Sequence, residues 1–220
     1  MKFLLGIDIG SSSVKCALIS VDSGECVASA YSPSSEMLIH SPQAGFAEQD
    51  PETWWKELRN AMAILSDECD FKKNDIAAIG ISYQMHGLVM LDKQGNALRP
   101  SIIWCDSRAV NIGNDAFKEL GETFCLQHYL NSPGNLTASK LKWVKDHQPN
   151  IYQQIHKVML PGDYIAYKLT GEMRTTQEEW REKERVRERD AGTIEGRFLT
   201  LPLISMLVLL LWVSPANCSA

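Results

Sequence analysis

The sequence predicts an α/β layered domain in which strands come first, then a sharply marked helix, then further strands and helices. Three observations carry this. Phe3 to Gly10, Val14 to Ser20 and Glu25 to Ser32 are short β-type runs rich in Ile, Val and Leu. The polar connections Ser11-Ser12-Ser13 and Asp22-Ser23-Gly24 are tight turns, so the three runs read as an antiparallel meander. A capped amphipathic helix follows, and then two more strand-type runs, Asp75 to Tyr83 and Gly87 to Asp92, the second closing on the turn Lys93-Gln94-Gly95-Asn96.

Each later element has a local cause. Asp50 caps the free amides of the helix, Pro51 suits its first position and Glu52 favours its positive end. Trp54, Leu58, Ala61, Leu65 and Cys69 recur at helical spacing and give one apolar face, to which Trp55 is assigned as well. Helical patterns return after Thr137 through Ala138, Leu141 and Val144, then in a segment started by Pro149. A last one runs from Asp163 to Thr170 and stops at Gly171.

This texture holds over residues 1–176. From Glu178 to Arg197, 6 basic and 7 acidic residues crowd 20 positions, which reads as a solvated helix or disorder (segment 177–197). Phe198 to Val213 is a 16-residue apolar run interrupted by Pro202, in a tail spanning 198–220. It falls short of the roughly 17 to 20 residues a membrane span needs, so membrane attachment is not expected.

The chain's 220 residues carry 22 basic and 27 acidic side chains, a formal charge of −5, which argues against a nucleic-acid partner. Six scattered cysteines without C-x-x-C spacing read as reduced thiols of a cytoplasmic protein and not as a disulfide frame or a zinc site. Met1 to Ile7 is too short an apolar run for a signal peptide.

Two constellations carry chemistry. Gly6-Ile7-Asp8-Ile9-Gly10-Ser11-Ser12-Ser13-Val14-Lys15 spans a strand–turn–strand. Gly10 permits a close backbone approach, and the serine hydroxyls and turn amides donate to phosphate oxygens. Lys15 adds a point charge, and Asp8 can hold a magnesium ion through water. The alternative is a plain hairpin with a polar turn. Tyr83-Gln84-Met85-His86-Gly87 and Ile103-Trp104-Cys105-Asp106-Ser107-Arg108 suit a polyhydroxylated ligand. Gln84, His86 and Asp106 exchange hydrogen bonds with hydroxyls, while Met85 and Trp104 offer surfaces for C–H groups. The alternatives are a His in an ordinary strand connection and a strand ending in a polar turn with Trp104 in the core.

Taken in order, GIDIGSSSVK, AGFAEQDPETWW, ISYQMHG, RPSIIWCDSR and LPGDYIAYKLTGE resemble the N-terminal domain of the FGGY family of carbohydrate kinases, most of all its xylulokinases. The likeness covers nearly all of residues 1–176. It implies the N-terminal lobe of an RNase H-like, actin-type ATPase fold, a cytoplasmic enzyme using ATP and Mg2+, and transfer of the γ-phosphoryl group to D-xylulose or a related ketose. Gly10, Ser11, Ser12, Ser13 and Lys15 match the phosphate-contacting hairpin, and Asp8 the acidic position near the magnesium ion. Met85 and His86 match the substrate-binding pair, and Trp104 and Asp106 further positions of the sugar site. A gluconokinase-like member and a non-catalytic sugar-binding fragment are the alternatives, and full-length relatives are expected to be homodimers.

Two departures stand out. Asn135 occupies a place that is usually small or aromatic ahead of Lys140-Leu141-Lys142-Trp143. After Thr176 the likeness stops, so the aspartate expected as general base, the second lobe and the adenine pocket fall beyond it. A frameshift, rearrangement or gene-model fault is the expected cause, and negligible kinase activity is expected from this polypeptide alone.

Overall fold

The computed structural model describes residues 1–129 and 132–174; the charged segment and the apolar tail read above lie outside the described residues. Strands β1 (Phe3–Ile9), β2 (Val14–Ser20) and β3 (Cys26–Ser32) form the expected antiparallel meander. Strand β5 (Ile76–Tyr83) adds to β1 in parallel, giving the order β3-β2-β1-β5. Parallel pairing requires a crossover, and helix α1 (Pro51–Glu68) supplies it.

Alternation decides which face of the sheet is covered. Phe3, Leu5, Ile7 and Ile9 of β1 are buried, with Val14, Cys16 and Leu18 of β2, against Trp54, Leu58, Ala61 and Leu65 of α1. The interleaved residues Leu4, Gly6 and Asp8 face the other way and are not buried. Burial also pushes the Cys16 thiol up to about 12, so it behaves as an apolar core group. The five described cysteines are free thiols.

The start of α1 is built as its residues dictate, with the Asp50 carboxylate accepting from the Glu52 amide at 2.9 Å. The two tryptophans part company. Trp54 is wholly buried, whereas Trp55 is only partly covered, with the Lys168 ammonium 5.8 Å from its ring centroid. Neighbours on a helix point about 100° apart, so only one of the pair can face the sheet.

Two small ladders complete the described strands: β4 (Glu48–Gln49) with β7 (Ser101–Ile102), and β6 (Val89–Leu91) with β8 (Lys157–Met159). Helices α4 (Thr137–His147) and α5 (Pro149–Gln154) pack on a second core of Leu88, Met90, Ile102, Val144 and Val158, while α2 (Val110–Leu120) lies against α4 and α3 (Glu122–Tyr129) against α2. Helix α6 (Pro161–Thr170) returns to the main core through Tyr164 and Ile165. It begins earlier than the apolar pattern suggests because Pro161 takes the first turn and Asp163 accepts from the Leu160 amide. Gly171 ends it in the left-handed conformation, φ 76°.

A buried carboxylate ties α1 to β3. Glu57 is 6% exposed and accepts from the Ser32 hydroxyl at 2.6 Å and the Asn60 amide at 3.0 Å. The Ser32 donor foremost holds its carboxyl below the usual carboxylate range. A folded-state value below the unfolded one stabilises the fold at neutral pH, and that contribution disappears as the pH falls from about 4.3 through the lowered value. Glu57→Gln is therefore expected to be less stable at pH 7 and to lose less stability on acidification. Urea unfolding between pH 7 and pH 3 reads this; parallel pH profiles for the two proteins would refute it.

Candidate functional site

The site grows from the carboxyl ends of the parallel pair β1 and β5. In an open α/β sheet such ends face a crevice not filled by the sheet's own side chains. The turn Gly10–Ser13 leaves β1 there, and the turn Gln84–Gly87 leaves β5 beside it, the Gln84 amide donating to the Ile9 carbonyl at 2.9 Å.

In the first turn the Gly10 amide donates to the Ser13 carbonyl at 3.1 Å. A Cβ at position 10 would come within 2.9 Å of that same carbonyl oxygen, so the turn closes only around glycine. The Ser12 carbonyl accepts from the Met37 amide at 2.8 Å. Asp8 and Lys15 are cross-strand partners on the face of the sheet away from the core, with 4.0 Å between carboxylate and ammonium. Burial raises the Asp8 carboxyl above its ordinary value, opposed by Lys15 and by a hydrogen bond from Ser82, its partner on β5.

In the second turn Met85 is 62% exposed, and His86 adopts φ 59°, the single positive value outside glycine among the described residues. Burial and then the Lys140 charge lower the basicity of the His86 imidazole, which favours a neutral ring near pH 7. Gly87 abuts Pro161 so closely that a Cβ there would lie 2.5 Å from the proline ring.

Trp104 follows β7 and leans over the first turn, its indole N–H donating to the Ser11 hydroxyl at 3.4 Å. The ring is 47% exposed. Asn135, the departure noted in the sequence, donates to the Trp104 carbonyl.

One residue joins all of this. Gln49 is 3% exposed; its amide nitrogen donates to the Ser11 carbonyl at 2.7 Å. Its oxygen accepts from the Trp54 indole at 3.1 Å and from the Gln84 amide at 3.4 Å. The carbonyl and the indole fix which way the Gln49 amide points, because one needs a donor and the other an acceptor. The Gln84 amide must then also present its nitrogen.

Asp106 is placed differently from the other predicted residues. It is 1% exposed, with its oxygens taken by the Ala47 amide at 2.6 Å, the Arg108 amide at 2.9 Å and the Arg108 guanidinium at 2.7–2.9 Å. Arg108 also reaches Glu48 at 2.6 Å and lies 3.7 Å from the Phe46 ring centroid; Arg99 closes the group by pairing with Glu48. This neutral cluster of two arginines and two carboxylates packs its Arg108 guanidinium on the Phe46 and Trp143 rings. The structure thus brings Ser11, Trp104 and the Gln84–His86 turn together and buries Asp106 with its oxygens already taken. Gln49, Ser82 and Lys140 complete the site. The one signal for Ser82 was its strand period with respect to Tyr83; Gln49 lay within a matched segment and Lys140 at the head of Lys140-Leu141-Lys142-Trp143, neither with a local chemical mark.

Among the described residues no group of three or more His, Cys, Asp or Glu side chains is placed to hold a metal ion, and no helix is long and apolar enough to cross a membrane.

Known proteins resemble this chain in sequence and in fold. The model of the N-terminal domain of the FGGY family of carbohydrate kinases matches residues 3–179. A xylulose kinase from Staphylococcus xylosus is 39% identical over 176 residues, covering 80% of this chain and 35% of its own length. A crystallised kinase from Brucella ovis, described as a "xyloylose kinase", superposes with a TM-score of 0.69 at 36% identity, over 77% of this chain and 34% of its own. A gluconate kinase from Lactobacillus acidophilus gives 0.67 at 29% identity, over 78% and 34%. The chain spans about a third of the length of the relatives it matches.

Proposed function

The chain belongs to the FGGY family of carbohydrate kinases, with the actin-like fold of its N-terminal lobe, and from that premise we propose that it carries the sugar-recognising half of an ATP-dependent D-xylulose kinase. The observation that supports this is the shared wall at the ends of β1 and β5. Ser11, Trp104 and the Gln84–His86 turn meet there through Gln49.

The roles divide by chemistry. The Gly10–Ser13 turn offers amides and hydroxyls to phosphate oxygens, and the Lys15 ammonium adds charge. Asp8 would hold the magnesium ion of the nucleotide, whose presence neutralises phosphate charge. The residues fit such an ion. Partial burial makes the Asp8 carboxylate costly to ionise, which a cation would offset alongside Lys15, and water and phosphate oxygens would supply the other ligands. At the other end Trp104 and Met85 meet the C–H face of a ketose, while a neutral His86 exchanges hydrogen bonds with its hydroxyls. Asp106 acts on the sugar indirectly, by tying the segment that carries Trp104 to Ala47 and Arg108. In this reading the proton-accepting aspartate comes from sequence beyond the matched residues, as the family resemblance implies, in a cytoplasmic enzyme whose full-length form is a homodimer.

Titration calorimetry of the full chain with D-xylulose, D-gluconate and glycerol tests recognition. Saturable binding that prefers D-xylulose is expected, weakened about tenfold, or ~1.4 kcal/mol, in Trp104→Ala through lost aromatic contact. Preference for D-gluconate would move the assignment to a gluconate kinase, and no binding of any sugar would overturn it.

A further inference from the structure

Lys140 is wholly buried in α4, and its ammonium donates to the His86 carbonyl at 2.7 Å. The acceptor belongs to a residue in a conformation that L side chains adopt reluctantly, φ 59°. Such strain persists only where the surroundings over-determine it. The entry to the turn is fixed by the Gln84 amide on the Ile9 carbonyl, and its exit by Gly87 pressed on Pro161. Between these two points the Lys140 ammonium holds the carbonyl.

We propose that Lys140 is a positioning residue of the sugar site, holding the Met85–His86 turn in its left-handed shape through the His86 carbonyl. A buried ammonium is a poor way to gain stability, since desolvation offsets much of the attraction it finds. Its placement is explained by what it orients. The same charge acts on the His86 ring and, after burial, disfavours its protonation. This inference rests on reading the Met85–His86 turn as the sugar contact.

The test uses the full chain labelled with 15N-histidine, in wild-type form and as Lys140→Met, which keeps the stem and removes the donor and the charge. Thermal melting, the His86 imidazole titration by NMR and D-xylulose affinity are read together. Lys140→Met is expected to raise the His86 midpoint toward the ordinary value of about 6.5 and to weaken D-xylulose binding about tenfold or more. His86→Gly, at ease with positive φ, is expected to raise the melting temperature more in wild type than in the Lys140→Met background, where the turn is free to relax. Lys140→Arg, which keeps the charge and a donor, is expected to retain the lowered midpoint and stands in if the methionine variant does not fold. A lower melting temperature with unchanged His86 midpoint and unchanged sugar affinity would reduce Lys140 to a core tie and overturn the proposal. If wild type itself fails to bind D-xylulose, the sugar reading fails, whereas the His86 midpoint and the glycine coupling still judge whether Lys140 shapes the turn.

Discussion

Arg108→Met is expected to destabilise the chain by about 3–5 kcal/mol, the cost of leaving a buried carboxylate without its partner. Arg108 and Asp106 side chains are 1% and 0% exposed, and the guanidinium meets both Asp106 oxygens. With Arg108 gone, Arg99 still balances Glu48, so the stranded charge is that of Asp106. In a domain of this size each kcal/mol lowers the melting temperature by roughly 2–4 °C, so the loss is easily seen by calorimetry. The informative variant is the double one. Asp106→Asn on the Arg108→Met background removes the orphaned charge and leaves an amide oxygen for the Ala47 N–H, so a substantial part of the stability is expected to return. Strict additivity of the two single losses would show that the cluster is not a coupled unit.

Trp54→Ala carries the second large effect, about 3–5 kcal/mol for a fully buried aromatic side chain. Trp54→Phe separates packing from hydrogen bonding. It retains most of the apolar contact and removes the indole donor to Gln49, at a net cost of about 0.5–1.5 kcal/mol. Because Gln49 holds the Ser11 carbonyl and Gln84, the phenylalanine variant is also expected to weaken D-xylulose binding although position 54 touches no ligand. Chemical denaturation and calorimetric titration on the same samples check both halves. Undiminished sugar affinity in Trp54→Phe would mean that Gln49 is held well enough without the indole.

What could be read from the residues alone was whatever depends on near neighbours. The Asp50-Pro51 start of α1, the three-strand meander and the Gly171 stop each follow from a few adjacent side chains and were found where expected. Helix α2 escaped because Ala109 offers no capping side chain and Gly113 is its one buried residue. In α3, Phe124, Cys125 and Leu126 run consecutively and draw no stripe on one face. The two-residue strands β4 and β7 are too short to show a period. For the site, the turns were legible because Gly, Ser, Met and His at strand ends have recognisable chemistry. The burial of Asp106 was not, since it depends on Ala47 and Arg108 arriving from different segments. Gln49 was hidden for the same reason: its partners lie 38, 5 and 35 positions away in the chain.

The wiring of Gln49 also bears on how this gene can drift. Position 49 must give a proton on one side and receive one on the other. Single-base changes to a glutamine codon yield Lys, Glu, Pro, Leu, Arg or His, apart from stop. Lysine and arginine only donate, ionised glutamate only accepts, and leucine and proline do neither with their side chains. A neutral imidazole alone preserves both polarities, so histidine is the one neighbouring allele through which evolution can pass without breaking the link between the two turns.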